Sequence, residues 1–356
     1  VDLGVATGAN AWDYTSRSVT GAVAASATVP GYAIDSTVLG GMYAGRIRLM
    51  ATEAGVGVRM LGDAAATADD FTLNAAGQVE LRNKISAQQD LRVSSASSAA
   101  GAIQLSDASL AAKRDLVLAA NQGGVSLAGS ALVANNDLSL SADRLSDSAS
   151  TATLADNNKR FAGRNLNVNV AQTADLNATS WGAGSALTAT VGSLNVGSSG
   201  AQIYSNGTAT LTATSGDLAL NTAAVSTVNN LDLSANAGAI KTTAGAAQGV
   251  QSTMGNIALN AATGLNNAGV MDAKAGNITV RANGNSSNSG TLHASGNVDF
   301  ADKSGGQTAN LNNTGTLLAE GQAQIKANTL NNAGNFQGSQ GSTIVANSLT
   351  NGGLLV

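Results

Sequence analysis

From Asp70 onward one short pattern recurs: an Asp or Asn, then apolar residues at alternate positions. It is seen at Asp70–Leu73 (DFTL), Asp90–Val93 (DLRV), Asp115–Leu118 (DLVL), Asp137–Leu140 (DLSL), Asn165–Val168 (NLNV), Asp217–Leu220 (DLAL), Asn230–Leu233 (NLDL), Asn256–Leu259 (NIAL), Asn277–Val280 (NITV) and Asn297–Phe300 (NVDF). A period of two turns one side of each short strand inward, and the leading Asp or Asn supplies turn chemistry. Neighbouring copies lie roughly 20 to 28 residues apart, the spacing of a stacked repeat. One gap is longer, between Val168 and Asp217, and Ser193–Val196 (SLNV) is expected to fill it with an intermediate coil. The C-terminal third is more regular: Leu311–Gly315 (LNNTG), Leu330–Gly334 (LNNAG) and Leu349–Gly353 (LTNGG) follow at a step of about 19 residues, which Ile325 and Ile344 keep. An earlier copy is Leu265–Gly269 (LNNAG).

Strands this short cannot bury an apolar face alone, so each unit must lie on the one before it. Equivalent positions then pair in parallel, which predicts an all-β fold, a parallel β-helix or β-solenoid. About 13 or 14 coils at the ordinary interstrand spacing of about 4.8 Å would make a rod on the order of 60 to 65 Å long. A sandwich of short strands is the rival. Leucine-rich repeats have similar unit lengths, but their framework with a helical return is absent. Composition agrees with a thin, regular interior: 42 Gly, one Pro, 3% aromatic and 11% charged residues, with 43% hydrophobic. Disorder goes with low hydrophobicity and high net charge, whereas the net charge here is −4 and the mean hydropathy +0.06.

The same composition narrows function. There is no Cys and a single His, so triads built on Cys and zinc sets built on Cys and His lack their residues. His293 is read as an exposed repeat residue without a nearby carboxylate. The charged groups Asp69-Asp70, Lys113-Arg114-Asp115, Asp143-Arg144 and Lys159-Arg160 are expected as solvated charges on separate coils. No catalytic, cofactor-binding or metal-ligating residue is expected. Calcium-binding nonapeptides would need a regular Gly-Gly-x-Gly-x-Asp pattern, and scattered charge disfavours nucleic acid, which needs a clustered basic footprint. The recurrent Asn has two structural uses: corners at positive φ, and amide ladders between stacked coils, for which Leu311, Leu330 and Leu349 head the best copies.

One stretch differs from the rest. In Leu39–Arg59, LGGMYAGRIRLMATEAGVGVR, Ile47 and Leu49 should point inward with Arg46 and Arg48 outward. Val56 and Val58 should then point inward after a turn over Thr52–Gly55. Gly55 and Gly57 permit a corner that a β-carbon would obstruct, and Glu53 is placed to pair with Arg48 or Arg59. The signature residues are Gly40, Gly41, Met42, Tyr43, Arg46, Arg48, Glu53, Gly55 and Gly57.

The segment Ile34–Gly62, IDSTVLGGMYAGRIRLMATEAGVGVRMLG, resembles the segment that follows the secretion domain in filamentous haemagglutinin-like exoproteins of two-partner secretion systems. That group includes filamentous adhesins and the toxin-delivery proteins of contact-dependent growth inhibition. Val1–Tyr14 is similar to the end of that secretion domain, and the units after Asp70 resemble haemagglutinin repeats. The resemblance implies a right-handed parallel β-helix with irregular excursions, residues 1–62 ending a secretion-type domain and joining it to the shaft, and residues 63–356 forming that shaft. It also implies export through an outer-membrane two-partner secretion transporter and display at the surface of a Gram-negative cell. The NPNL and NPNG-type motifs of the complete secretion domain are missing, as expected if the chain starts downstream of them. Neither Arg-Gly-Asp nor a C-terminal toxin domain is visible.

If the shaft binds a host-cell carbohydrate or protein receptor, or a neighbouring bacterial surface, the contacts are expected where regularity breaks. Residues 11–34 carry Trp12, Tyr14 and Tyr32 and are expected to leave the coil as a hairpin or flap; residues 143–164 carry Phe161; Trp181 lies in a third irregular stretch.

Overall fold

The computed structural model of the chain describes residues 1–7, 10–13, 15, 18–22, 31–149, 159–197, 200–244 and 249–356. It divides into two compact units, 1–163 and 164–356. Among the described residues there is no helix. Each unit is a β-solenoid, with about 14 coils over the two, and the pairing within each solenoid is parallel. This excludes the sandwich.

Each coil has three short walls, here faces A, B and C. In the first unit the inward column of face A runs Ile47, Phe71, Leu91, Leu116, Leu138 in register. Face B stacks Val58, Val79, Ile103, Val125 and Leu145, and face C stacks Ala64, Ile85, Leu110 and Leu132. All of these are at most 2% exposed. Burying one such large side chain contributes about 1.5 to 3 kcal/mol, so a repeated apolar doublet suffices to hold each coil to the next. Where face C ends, only small side chains fit: Ala66, Ala87, Ala112, Ala134 and Ala162 form one column. The second unit repeats the plan, with Leu187, Ala209, Leu231, Ile257, Ile278 and Val298 on face A.

The long gap in the doublets closes differently from the expectation. Its face A strands are Ala186–Val196, through its first half, and Thr208–Ala213. Ser193–Val196 and Asp217–Leu220 lie instead on face B, where Leu194 pairs with Leu218. Alternating large apolar residues serve faces A and B alike, as at Leu91/Val93 and Ile103/Leu105, so sequence spacing alone did not separate them.

Both uses of Asn occur. Asn83 (φ 59°) and Asn221 (φ 46°) sit at positive φ, with their amides donating to Leu61 O and Val196 O. The second Asn of the LNN copies turns inward: Asn267, Asn288, Asn313 and Asn332 are at most 2% exposed. Each Nδ2 donates to the Oδ1 of the next, at 2.7 to 2.8 Å, the last to Asn351. The ladder therefore starts earlier than the three best copies and recruits Asn288, from an SSN tripeptide.

Candidate functional site

In the signature segment Ile47, Leu49, Val56 and Val58 are fully buried, while Arg46 and Arg48 are exposed. Gly55 has φ +79°, and a β-carbon on Gly57 would lie 2.2 Å from Gln78 O in the next coil. Gly40 N–H donates to Thr37 O, and Gly41 lies under the ring of Tyr43, which is 67% exposed. Met42 stacks on Ala64.

The charges pair across coils rather than within the corner. Arg46 binds Asp69 and approaches Asp2 at 3.9 Å. Arg59 binds Asp35 through two hydrogen bonds, 2.8 and 2.6 Å, instead of the expected Glu53, because parallel register sets Asp35 directly beside Arg59. The guanidinium holds the Asp35 carboxyl below its usual range.

The carboxylates preceding face A are likewise more organised than solvated charges on separate coils. Asp70, Asp90, Asp115 and Asp137 occupy one corner. The Oδ1 of each of the first three accepts the backbone N–H of the next Asp in the series, at 3.0 to 3.3 Å. Stacked like charges repel, and arginines offset this: Arg114 grips Asp90 with bonds of 2.6 and 2.7 Å, and Arg92 adds a third at 2.7 Å. Asp90, 3% exposed, is thereby held at a pKa of about 2. In the second unit Asn230, Asn256, Asn277 and Asn297 do the same capping without charge.

Arg160 and Asp147 depart furthest from the surface role expected of Lys159-Arg160. Arg160 occupies the inward column of face C above Leu132, and Asp147 that of face B above Leu127. Both side chains are 0% exposed and form an ion pair in the core, and burial lowers the guanidinium pKa against the opposing pull of Asp147. His293 also differs from the expectation of no neighbouring carboxylate. On face C of the second unit its Nδ1 lies 2.7 Å from Asp272 Oδ1 and its Nε2 3.5 Å from Glu320 Oε1. Asp272 is its register partner one coil earlier.

Of the proposed contact aromatics, Tyr32 and Phe161 belong to separate coils of the first unit, and Trp181 belongs to the second. Trp12 belongs to a two-stranded antiparallel hairpin of Asn10–Asp13 and Ser18–Ala22, but the excursion expected over residues 11–34 does not reach its stated end, since Tyr32–Ser36 pairs in parallel with Gly57–Met60 as part of the solenoid; Tyr14 lies outside the described residues. Tyr32 is half-buried, with the Arg59 guanidinium 4.8 Å from its ring centre, so one ring face is already taken. Phe161 is half-buried under the Lys159 ammonium at 4.9 Å. Trp181 is 3% exposed, an inward residue of face C stacked on Ile203, not a surface contact: its flanking Thr179 and Ala183 also point inward, and the alternation of a regular strand governs the stretch. Tyr204, unremarked in the sequence, is the half-buried aromatic of the outer face.

Comparison with known proteins finds relatives over part of the chain. It is 40% identical over 96 residues to the Toxin CdiA of Yersinia pestis, covering 27% of this chain and 3% of that protein. It is 47% identical over 79 residues to the tRNA nuclease CdiA-2 of Burkholderia pseudomallei, 22% of this chain and 2% of the relative. To the Filamentous hemagglutinin of Bordetella pertussis it is 37% identical over 82 residues, again 22% and 2%. The matches thus span only 2 to 3% of these relatives' length. No protein-family model and no solved structure matches the chain. Relatives named CdiA and filamentous hemagglutinin, at 37–47% identity, together with a β-solenoid that suits haemagglutinin repeats, bear out the resemblance to filamentous haemagglutinin-like exoproteins.

Proposed function

We propose that the chain is a non-catalytic segment of a large secreted surface adhesin of a Gram-negative bacterium. Residues 1–62 would end a secretion-type domain and join it to the shaft formed by residues 63–356. The parent would leave the cell through an outer-membrane two-partner secretion transporter. The observation that carries this reading is the use made of side chains: the inward residues form core columns and the Asn and Asp residues form ladders, so the repeats are committed to holding coil on coil. On this reading the segment attaches to, or supports attachment to, a host-cell carbohydrate or protein.

A second reading rests on the relatives that carry the CdiA name. In it the segment is the passive stalk of a contact-dependent growth inhibition exoprotein, presenting a distal receptor-binding and toxin region to neighbouring bacteria. Attachment of the labelled chain to epithelial cells and to related bacteria separates the two. Saturable attachment to epithelial cells is the result expected of an adhesin segment. Binding to bacteria alone would overturn that reading in favour of a contact-dependent growth inhibition parent, and binding to neither would make the segment a shaft whose function lies elsewhere in the parent.

A further inference from the structure

Face C of the second unit carries an open groove of about 380 Å³. Its floor is the outward column Tyr204, Ser226, Gln251, one residue per coil in parallel register, and Gln202, Asn206 and Thr253 stand around it. Tyr204 lies along the wall rather than standing away from it, because Gly182 is its neighbour in the preceding coil: a β-carbon there would be 2.1 Å from the Tyr204 Cζ. The ring thus packs over the Gly182 backbone, a contact that reduces the rotamer freedom it would lose on binding.

The chemistry of the lining is narrow. Gln202, Asn206 and Gln251 present amides, and Ser226 and Thr253 hydroxyls, each able both to donate and to accept. Among the described residues, none of these five side chains makes a hydrogen bond within the protein, in contrast to Ser205 and Thr227 beside them, which donate to Ser185 O and Asn229 O. Six uncharged residues, five of them with mixed donor and acceptor capacity and one with a placed aromatic ring, match a ligand that has many hydroxyls and apolar C–H faces. The groups repeat at about 4.8 Å, the interstrand distance, close to the rise of one pyranose ring in an extended chain. The next position in the column is Asp272, a carboxylate that would oppose an anionic ligand at this end.

We propose that this groove binds a neutral, extended glycan along the solenoid axis, with one sugar ring against Tyr204 and its neighbours hydrogen-bonded by Ser226, Gln251 and the flanking amides. This deepens the adhesin reading and rests on it for biological meaning, though not for the binding itself. The test is binding of the full 356-residue chain to immobilised cellohexaose and N-acetylchitohexaose, with sialyllactose as the anionic comparison. The expected result is saturable binding to at least one neutral glycan, weakened tenfold or more by Tyr204→Ala and by Gln251→Ala. Gln337→Ala, in the same column on a distant coil, should leave it unchanged. Ser226→Arg, which fills the groove without touching the Gly182 packing, should abolish binding even if Tyr204→Ala disturbs the fold. Binding to neither neutral glycan, preference for sialyllactose, or indifference to Gln251→Ala and Ser226→Arg would overturn the proposal. Cell attachment that survives Ser226→Arg would remove the groove and leave the adhesin reading standing. Neutral-glycan binding without cell attachment would do the reverse.

Discussion

The core ion pair offers a sharp test of how this solenoid is held together. Arg160 and Asp147 stand where Leu132 and Leu127 stand one coil earlier, and both side chains are 0% exposed. Removing water from two charges costs several kcal/mol each, and their attraction offsets this only while both are present. Arg160→Ala should therefore destabilise its coil by about 3 to 5 kcal/mol, because Asp147 is left charged or forced to protonate in the core. Asp147→Leu should cost a similar amount. The double variant Asp147→Leu/Arg160→Leu, which continues the apolar columns, should be neutral or more stable by up to about 4 kcal/mol. Stacked repeats unfold locally and are poorly described by a single transition, so the assay is amide hydrogen exchange in residues 125–134 and 138–147. At tenfold per 1.4 kcal/mol, each single variant should lose roughly 10² to 10⁴ in protection there, and the double variant should regain it. Unchanged protection in Arg160→Ala, or a double variant as exposed as the singles, would refute the reasoning.

Two further outcomes follow from the ladders. Asn313→Leu interrupts an amide column in which the neighbouring Asn288 and Asn332 are buried. It should cost about 1 to 3 kcal/mol per orphaned amide, read as lost amide-exchange protection in the strands that carry Asn288, Asn313 and Asn332. Asp90 has a folded-state pKa depressed to about 2 from 3.8, so its contribution is present above the unfolded pKa and is lost as pH falls from about 4 through about 2. Acid titration should show a loss of up to about 2 kcal/mol in that window, smaller in Arg114→Ala, which removes the main cause of the shift.

Much of the architecture was legible because it depends on local pattern. Alternation told inside from outside at Ile47, Leu49, Val56 and Val58, and the spacing of the doublets implied stacking. What the pattern could not supply was register. Whether Arg59 meets Glu53 or Asp35, whether Ser193–Val196 lies on face A or face B, and whether His293 has a carboxylate beside it all depend on which residue lies one coil away. Coil length varies, so that partner cannot be counted off. Arg160 shows a second limit: a charged residue reads as surface unless its partner, 13 positions earlier, is known to share the core. Trp181 was misplaced for a related reason, since its stretch was read as irregular where Thr179–Ala183 is a regular strand.

The corner caps have a direction. In each case the acceptor belongs to the earlier coil and the N–H to the later one, as at Asp70 with Asp90 and Asn277 with Asn297. A coil once laid down therefore presents a prepared acceptor to the segment that follows it in the chain. With stability carried by nearest-neighbour interfaces, such a solenoid is suited to grow from its N-terminal side, winding up as successive segments become available. A chain fed forward as an unfolded thread could then fold as fast as it arrives, each new coil templated by the last.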